Sequence, residues 1–184
     1  EMPTATFKIE GISRKSALHY LRYEFLTTNF QSQKYKNQAS FEYVLPNVGE
    51  ESPEVIAEIK NCYEEIQRMY ERLRATNCDS EWSRIVLPNG TAQTMTLHSN
   101  FRQYRHVFNC LCDEVYVQEN KKVAVTMLRI LKKEAPVFFE DFVEREDGSW
   151  KVPGDNRNLK VNFGLGSHER KNLGIETYEE DTIE

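Results

Sequence analysis

The periodicity between Ser52 and Ala75 constrains the fold more than any other feature of this chain. Ile56, Ile59, Tyr63, Ile66, Tyr70 and Leu73 recur at steps of three and four residues. That step gathers them on one face of a long amphipathic helix. Ser52 suits an N-cap, Pro53 the first turn, and Glu54 the positive end of the helix dipole. The charged remainder reads as a solvated face. A helix of this length needs other elements to cover its apolar side.

Two stretches carry the other period. Thr4 to Ile9 alternates, with Thr6 and Lys8 set against Ala5, Phe7 and Ile9, and Gln93 to His98 alternates likewise. Both read as strands. Gly11 is expected to end the first, and Ser13 to cap a helix through Arg14, Leu18, Leu21 and Arg22. Phe41 to Leu45 is a short apolar segment stopped by Pro46-Asn47. Asp79 or Ser80 caps a short helix carrying Trp82 and Arg84 that ends near Leu87-Pro88, and Asn89-Gly90 is a turn. Ser99 to Arg102 opens the next helix. A further helix runs from about Val117 to Leu131 and breaks at Ala135-Pro136, and Phe138, Phe139 and Phe142 form a short amphipathic turn. From Arg145 glycines and polar residues take over, with a strand-like stretch at Leu159 to Phe163 and an acidic end at Glu179-Glu180-Asp181. The expected division is a core over 1–144 and an extension over 145–184.

The chain has 184 residues, 39% hydrophobic and 29% charged, which suits one folded domain. A net charge of −5 argues against general DNA or RNA binding, which relies on a basic face. It leaves room for a single nucleotide, where two or three local cations suffice. The four cysteines include a lone Cys-x-Cys at Cys110 and Cys112, without a second matching pair. The expectation is free buried thiols in a reducing cytoplasm and no metal. No apolar run approaches membrane-spanning length. The sequence starts at Glu1 rather than Met, so an N-terminal part is expected to be missing.

The run from Arg22 to Tyr35 is poor core material. It packs an arginine, a lysine, hydroxyls and amides into little more than a dozen positions. Arg and Lys neutralise phosphate, and Asn and Gln read the edge of a base. Its frame is Arg22-Tyr23-Glu24, seven residues, Ser32, then Lys34-Tyr35, with Thr27, Asn29 and Ser32 as hydroxyl-x-Asn-x-x-Ser. This resembles the signature of the flavin-dependent thymidylate synthase family, Arg-His-Arg, seven residues, Ser, usually followed by Arg-Tyr. Arg84 to Pro88 is similar to the family's Arg-x-x-Leu-Pro, and Asn100-Phe101-Arg102 to its Asn-x-Arg helix start. Phe7 to Arg14 and the Phe-rich end near Phe142 also match, in order.

The resemblance implies an α+β fold, a small mainly antiparallel sheet packed with several long helices. It implies a homotetramer whose active sites lie between subunits. The implied activity converts deoxyuridylate to thymidylate with bound FAD, and with NADPH and methylenetetrahydrofolate as co-substrates. Two alternatives stand beside it: methylation or hydroxymethylation of another deoxypyrimidine such as deoxycytidylate, and a non-catalytic nucleotide-binding protein on the same fold. Ser32 takes the catalytic position, holding the nucleotide near its reacting ring. His19, Gln33, Lys34 and Arg84 join it as substrate-binding residues, with Arg84 reaching across from a neighbouring subunit. Arg22, Tyr23, Glu24, Asn100, Arg102 and His106 fall at the flavin positions.

The departures are specific. Tyr23 replaces His, Glu24 replaces Arg, Lys34 replaces Arg, and Phe30 stands where Glu is common. An anion in place of a cation beside a diphosphate costs several kcal/mol where screening is poor. The family's further Arg falls near Leu111 or Cys112, and neither can replace it.

Overall fold

A computed structural model describes residues 2–33, 40–46, 51–113, 118–146 and 148–152. Among them the chain folds as α+β around a three-stranded antiparallel sheet in the order β1-β3-β2. Strand β1 is Thr4–Ser13, β2 is Thr27–Phe30 and β3 is Ala92–Asn100. β3 lies in the middle. It pairs with β1 from Thr4↔Asn100 to Ser13↔Ala92, and with β2 from Thr27↔His98 to Phe30↔Met95.

Gly11 does not end the first strand, contrary to the sequence reading. It takes φ +73°, and the register shifts between Glu10 and Ile12. Lacking a Cβ, glycine absorbs this bulge, and pairing resumes through Ser13. Helix α1 is Arg14–Tyr20, so Arg22 lies beyond it rather than inside it. Successive bonds from Leu21 N to Leu18 O, Arg22 N to His19 O and Tyr23 N to Tyr20 O, each 3.3 Å, tighten the helix end into a turn. The Phe41–Leu45 segment makes a single bridge, Tyr43↔Thr91, alongside β3.

The N-terminus of α1 is capped twice. Ser13 Oγ accepts from Ser16 N at 3.1 Å. Glu119, from helix α5, Gln118–Glu134, accepts from Ser13 N, Ser13 Oγ and Ser16 Oγ, each at 2.6 Å. A carboxylate at a helix N-terminus satisfies orphan donors and favours the dipole. One acid therefore ties α5 to the junction of β1 and α1.

Helix α2, Pro53–Ala75, follows the predicted bounds, with Ser52 Oγ accepting from Val55 N. Tyr63 anchors it, stacking on Tyr43 with ring centroids 4.2 Å apart. A Cβ on Gly90 would fall 1.8 Å from the Tyr63 hydroxyl, so only glycine fits beneath it. Helix α3, Ser80–Ser83, capped by Asp79, leads into a 3-10 turn at Arg84–Val86.

Helix α4, Phe101–Leu111, and α5 form the core with the sheet. Tyr104, Val107, Phe108, Leu111, Leu97 and Leu128 are all fully buried. Phe139 and Phe142, from α6, Pro136–Phe139, and just after it, close the core against Phe108. Arg105 fixes this corner, donating to Phe138 O and, through both terminal nitrogens, to the Asp141 carboxylate. Packed structure continues past Glu144. Strand β4, Val143–Glu144, pairs with β5, Trp150–Lys151, and Trp150 N donates to Cys112 O at 2.9 Å. The expected strand-like stretch at Leu159 to Phe163 lies outside the described residues.

All four cysteines are free, but only Cys110 and Cys112 are buried. Cys62 is exposed on α2 and Cys78 is half-buried, which corrects the expectation of buried thiols throughout. Burial pushes the Cys112 thiol up to about 12, with Lys121 opposing. Among the described residues no group of His, Cys, Asp and Glu could hold a metal, and no helix is long and apolar enough to cross a membrane.

Two predictions follow from these anchors. Glu119→Ala removes three charge-assisted hydrogen bonds and should lower unfolding free energy by on the order of 3 kcal/mol in urea titration. The hydrogen bond from Arg105 holds the Asp141 carboxyl below its ordinary value of 3.8, outweighing burial. A depressed folded-state pKa stabilises above the unfolded value and loses that effect as pH falls. Wild type should therefore exceed Asp141→Asn in melting temperature at neutral pH, and the gap should close as pH falls below 3.8.

Candidate functional site

The register of β3 sorts the predicted site residues into two groups. Ser99 Oγ, near the C-terminal end of β3, donates to Phe25 O at 2.5 Å. That bond brings the turn after α1, with Arg22, Tyr23 and Glu24, to the end of β3 where α4 begins. Asn100 caps α4 there, its Oδ1 accepting from Gln103 N at 2.8 Å. Arg102 is exposed in the first turn of α4, and His106 lies one turn further on.

The rings meet. Tyr23 packs edge-on to His106 with centroids 5.9 Å apart and to His19 at 6.2 Å. His106 Nε2 lies 3.9 Å from Cys110 Sγ, a neighbour on α4 that the sequence reading did not single out. Their i, i+4 spacing was the available signal. His19 is half-buried in the last turn of α1, and its pKa is lowered, first by burial and then by the Arg22 charge. Among the substrate-binding assignments His19 therefore sits with Arg22, at this end of the sheet. Glu24 is exposed in the same turn.

Ser32 and Gln33 lie at the other end. Phe30 pairs with Met95, and Gln31 N donates to Thr94 O at 3.0 Å, so the chain then runs past the start of β3. Ser32 is exposed. Gln33 is buried, and its Nε2 has no hydrogen-bond partner among the described residues. A buried amide left unsatisfied is uncommon and invites an acceptor. Lys34 lies outside the described residues. Arg84 lies in the 3-10 turn that precedes β3 in the chain, and Thr91 N donates to Pro88 O in the turn between them. Arg84 Nε donates to Glu81 O at 3.3 Å, and the Arg84 guanidinium lies 3.6 Å from the Glu81 carboxylate. Trp82 and Ile85, on either side of Arg84, are 68% and 73% exposed and set apolar surface beside the cation.

From Gln93 to Asn100 is about 23 Å at the usual strand rise. Along β3, Ser32 and Gln33 therefore stand toward the end opposite Asn100. Leu111 and Cys112, where a further cation was sought, are fully buried and offer no charge. Arg105, on the same helix, is committed to Asp141 and Phe138. A cavity of about 840 Å³ between β1, α5 and α2, lined by Phe7, Ile9, Tyr63 and Glu119 among others, includes none of the predicted site residues.

The residues at the α4 end suit a flavin in kind. Partly exposed aromatic edges, Arg22, Arg102 and a helix N-terminus provide surfaces for a planar ring and an anionic tail. Among the described residues of the turn at 22–25 and of the first turn of α4, Glu24 is the one group of the wrong sign.

Comparison with known proteins bears on the family. A family model, Thy1, thymidylate synthase complementing protein, matches residues 1–137. The chain is similar to flavin-dependent thymidylate synthases from Corynebacterium diphtheriae, at 27% identity over 157 residues, and from Mycobacteroides abscessus, at 29% over 157 residues. It is similar at 29% over 143 residues to that of Geobacter sulfurreducens. Each alignment covers 77% of this chain, and 62%, 63% and 62% of the respective relative, so the chain spans less than two thirds of their length.

The His19 environment can be read in solution. Its imidazole should titrate below 6.5 by NMR, and Arg22→Ala should raise that value only part of the way, since burial is the larger cause. A lowered folded-state pKa means the unfolded chain binds the proton first. Stability should therefore decline as pH falls below 6.5, and less so in His19→Gln.

Proposed function

The chain belongs to the Thy1 family, thymidylate synthase complementing protein, and from that premise we propose that it methylates a deoxypyrimidine monophosphate with the help of a bound flavin. The favoured substrate is deoxyuridylate, with methylenetetrahydrofolate as carbon donor and NADPH as reductant. The relatives' names carry the flavin and the thymidylate product, and the family signature carries the residues.

One observation supports this reading above the others. The signature frame is split by β2, so that its first half joins the α4 flavin positions and its second half stands toward the opposite end of β3. In this account Arg22, Tyr23, Asn100, Arg102 and His106 hold the flavin. Ser32, Gln33, Lys34 and Arg84 hold the nucleotide. FAD, when bound, supplies the reducing electrons. The protein's own residues position and neutralise: Arg84 and Lys34 face phosphate, Ser32 and the unsatisfied Gln33 amide face the pyrimidine, and His19 stays uncharged near neutrality.

Reaction geometry requires the pyrimidine and the flavin ring in contact, at about 3–3.5 Å between reacting atoms. Within one protomer Ser32 and Gln33 stand toward the end of β3 opposite Asn100. Each site is therefore shared, the nucleotide group of one subunit facing the flavin group of another, in a homotetramer of the kind the family resemblance implies. Exposed Trp82 and Ile85 beside Arg84 suit such a face. The protein acts in the cytoplasm in this reading.

Glu24 favours a second reading, a relative that binds the nucleotide and has given up the flavin. Colour separates the two. The purified protein, supplied with FAD, should absorb near ~450 nm as flavoproteins do; a preparation that stays colourless supports the second reading. Glu24→Arg should tighten FAD binding on the order of tenfold, the scale of one added charge contact. Ser32→Ala and Arg84→Ala should each weaken deoxyuridylate binding in calorimetry by about tenfold or more without changing the melting temperature. Unchanged affinity in both would refute the nucleotide assignment.

A further inference from the structure

Cys110 is a residue that the proposed function does not use. It sits on the buried side of α4, 4% exposed, one helical turn past His106. His106 is exposed, and its Nε2 lies 3.9 Å from Cys110 Sγ, within reach of a hydrogen bond to sulfur. Among the described residues that sulfur is the one hydrogen-bond partner of the imidazole, and Nδ1 has none. The same ring meets Tyr23 edge-on, with 5.9 Å between centroids and 76° between planes. Two neighbours, one aromatic and one a thiol, therefore fix how His106 stands on its helix.

The thiol also fixes where the imidazole keeps its proton. Sulfur is a weak acceptor, whereas one nitrogen of a neutral imidazole is always a ready one. The pair is therefore best made with Sγ–H donating to Nε2. The hydrogen bond at one ring nitrogen sets the state of the other. With Nε2 accepting, the proton sits on Nδ1, the nitrogen that no described group engages. We infer that Cys110 is a positioning residue, which holds His106 in the Nδ1–H form and so presents a fixed hydrogen-bond donor beside Tyr23. A ligand that takes this donor must offer an acceptor. A flavin does so along the carbonyl edge of its ring and at its diphosphate, so this role rests on the flavin reading for the identity of the ligand. The thiol itself is buried and acts through the imidazole alone. A cysteine that only packs, as buried cysteines commonly do, leaves its neighbour's proton where it was.

Long-range proton–nitrogen NMR of the histidine rings reads the tautomer without reference to activity, on the protein as purified and above the imidazole range, where the rings are neutral. The His106 signals, identified by their loss in His106→Gln, should show the proton on Nδ1. In Cys110→Ala it should move to Nε2, the form a free imidazole prefers. In Cys112→Ala, which removes the other buried thiol of this segment, it should stay on Nδ1. Fluorimetric titration with FAD gives a second readout. Cys110→Ala should weaken binding about fivefold, the scale of one neutral hydrogen bond, and should add nothing to the loss caused by His106→Gln. An Nε2–H form in wild type, or a tautomer indifferent to Cys110→Ala, would overturn the inference. Wild type that holds the Nδ1–H form yet binds no FAD would support the role of Cys110 and overturn the flavin reading.

Discussion

Strand β3 is hydrogen-bonded along both edges, and the described elements around it take their positions from that. β1 pairs with it over nine registered positions, interrupted once at the Gly11 bulge. β2 pairs with it over four. A central strand cannot slip by one residue without turning its buried Met95 and Leu97 outward, so its register is strongly specified. Once β3 is fixed, so are its two ends. One end receives the turn at Arg84–Pro88 and the chain after Phe30. The other hands directly to α4 and holds the Arg22–Phe25 turn through Ser99.

On the proposed reading, that constraint lets a short signature serve two ligands. A loop carrying Arg22 to Ser32 would have left its residues free to converge on one spot. Here four of the intervening residues, Thr27–Phe30, are spent in a strand. The cationic and aromatic half is held with α4, and the hydroxyl and amide half is sent to the opposite end of the sheet. Glu119 adds rigidity from below, since its three hydrogen bonds lock α1 to α5 just before the signature begins. Tyr23 then fills the space between His19 and His106 with a ring. Tyr23, at the position where the resemblance has His, thus makes aromatic contacts on both sides, whereas Glu24 carries its charge on an exposed side chain.

Much of this was legible in the residues. Periodicity gave α2 its bounds, because Ser52, Pro53 and Glu54 are unambiguous start signals and the 3.6-residue repeat is long. Of Asp79 and Ser80, both offered as caps, the structure uses Asp79, and the expected start of α4 within Ser99 to Arg102 falls at Asn100 as its cap. Gly11 misled, because a glycine with positive φ both ends strands and bulges them, and only the partner strand decides which. The end of α1 was misplaced because Leu21 and Arg22 are good helix formers, and the tightening that stops the helix is a backbone effect. Beyond Glu144 the glycines and polar residues concealed a buried tryptophan, Trp150, whose anchor is a backbone carbonyl at Cys112. The proposed site residues could be named one by one, but their placement along the sheet could not, since it depends on the pairing of β2 with β3.

The central claim is that the nucleotide group of one subunit and the flavin group of another make each site. Mixing two inactive variants tests it most directly. Ser32→Ala subunits keep an intact flavin group, and Arg102→Ala subunits keep an intact nucleotide group. Dissociated, combined in equal amounts and reassembled, they should recover thymidylate synthesis at about one quarter of the wild-type rate, the share of fully intact sites under random pairing in a closed symmetric oligomer. A mixture that contains mixed assemblies by native mass yet stays inactive would contradict the account, because it would mean that each subunit builds its site alone.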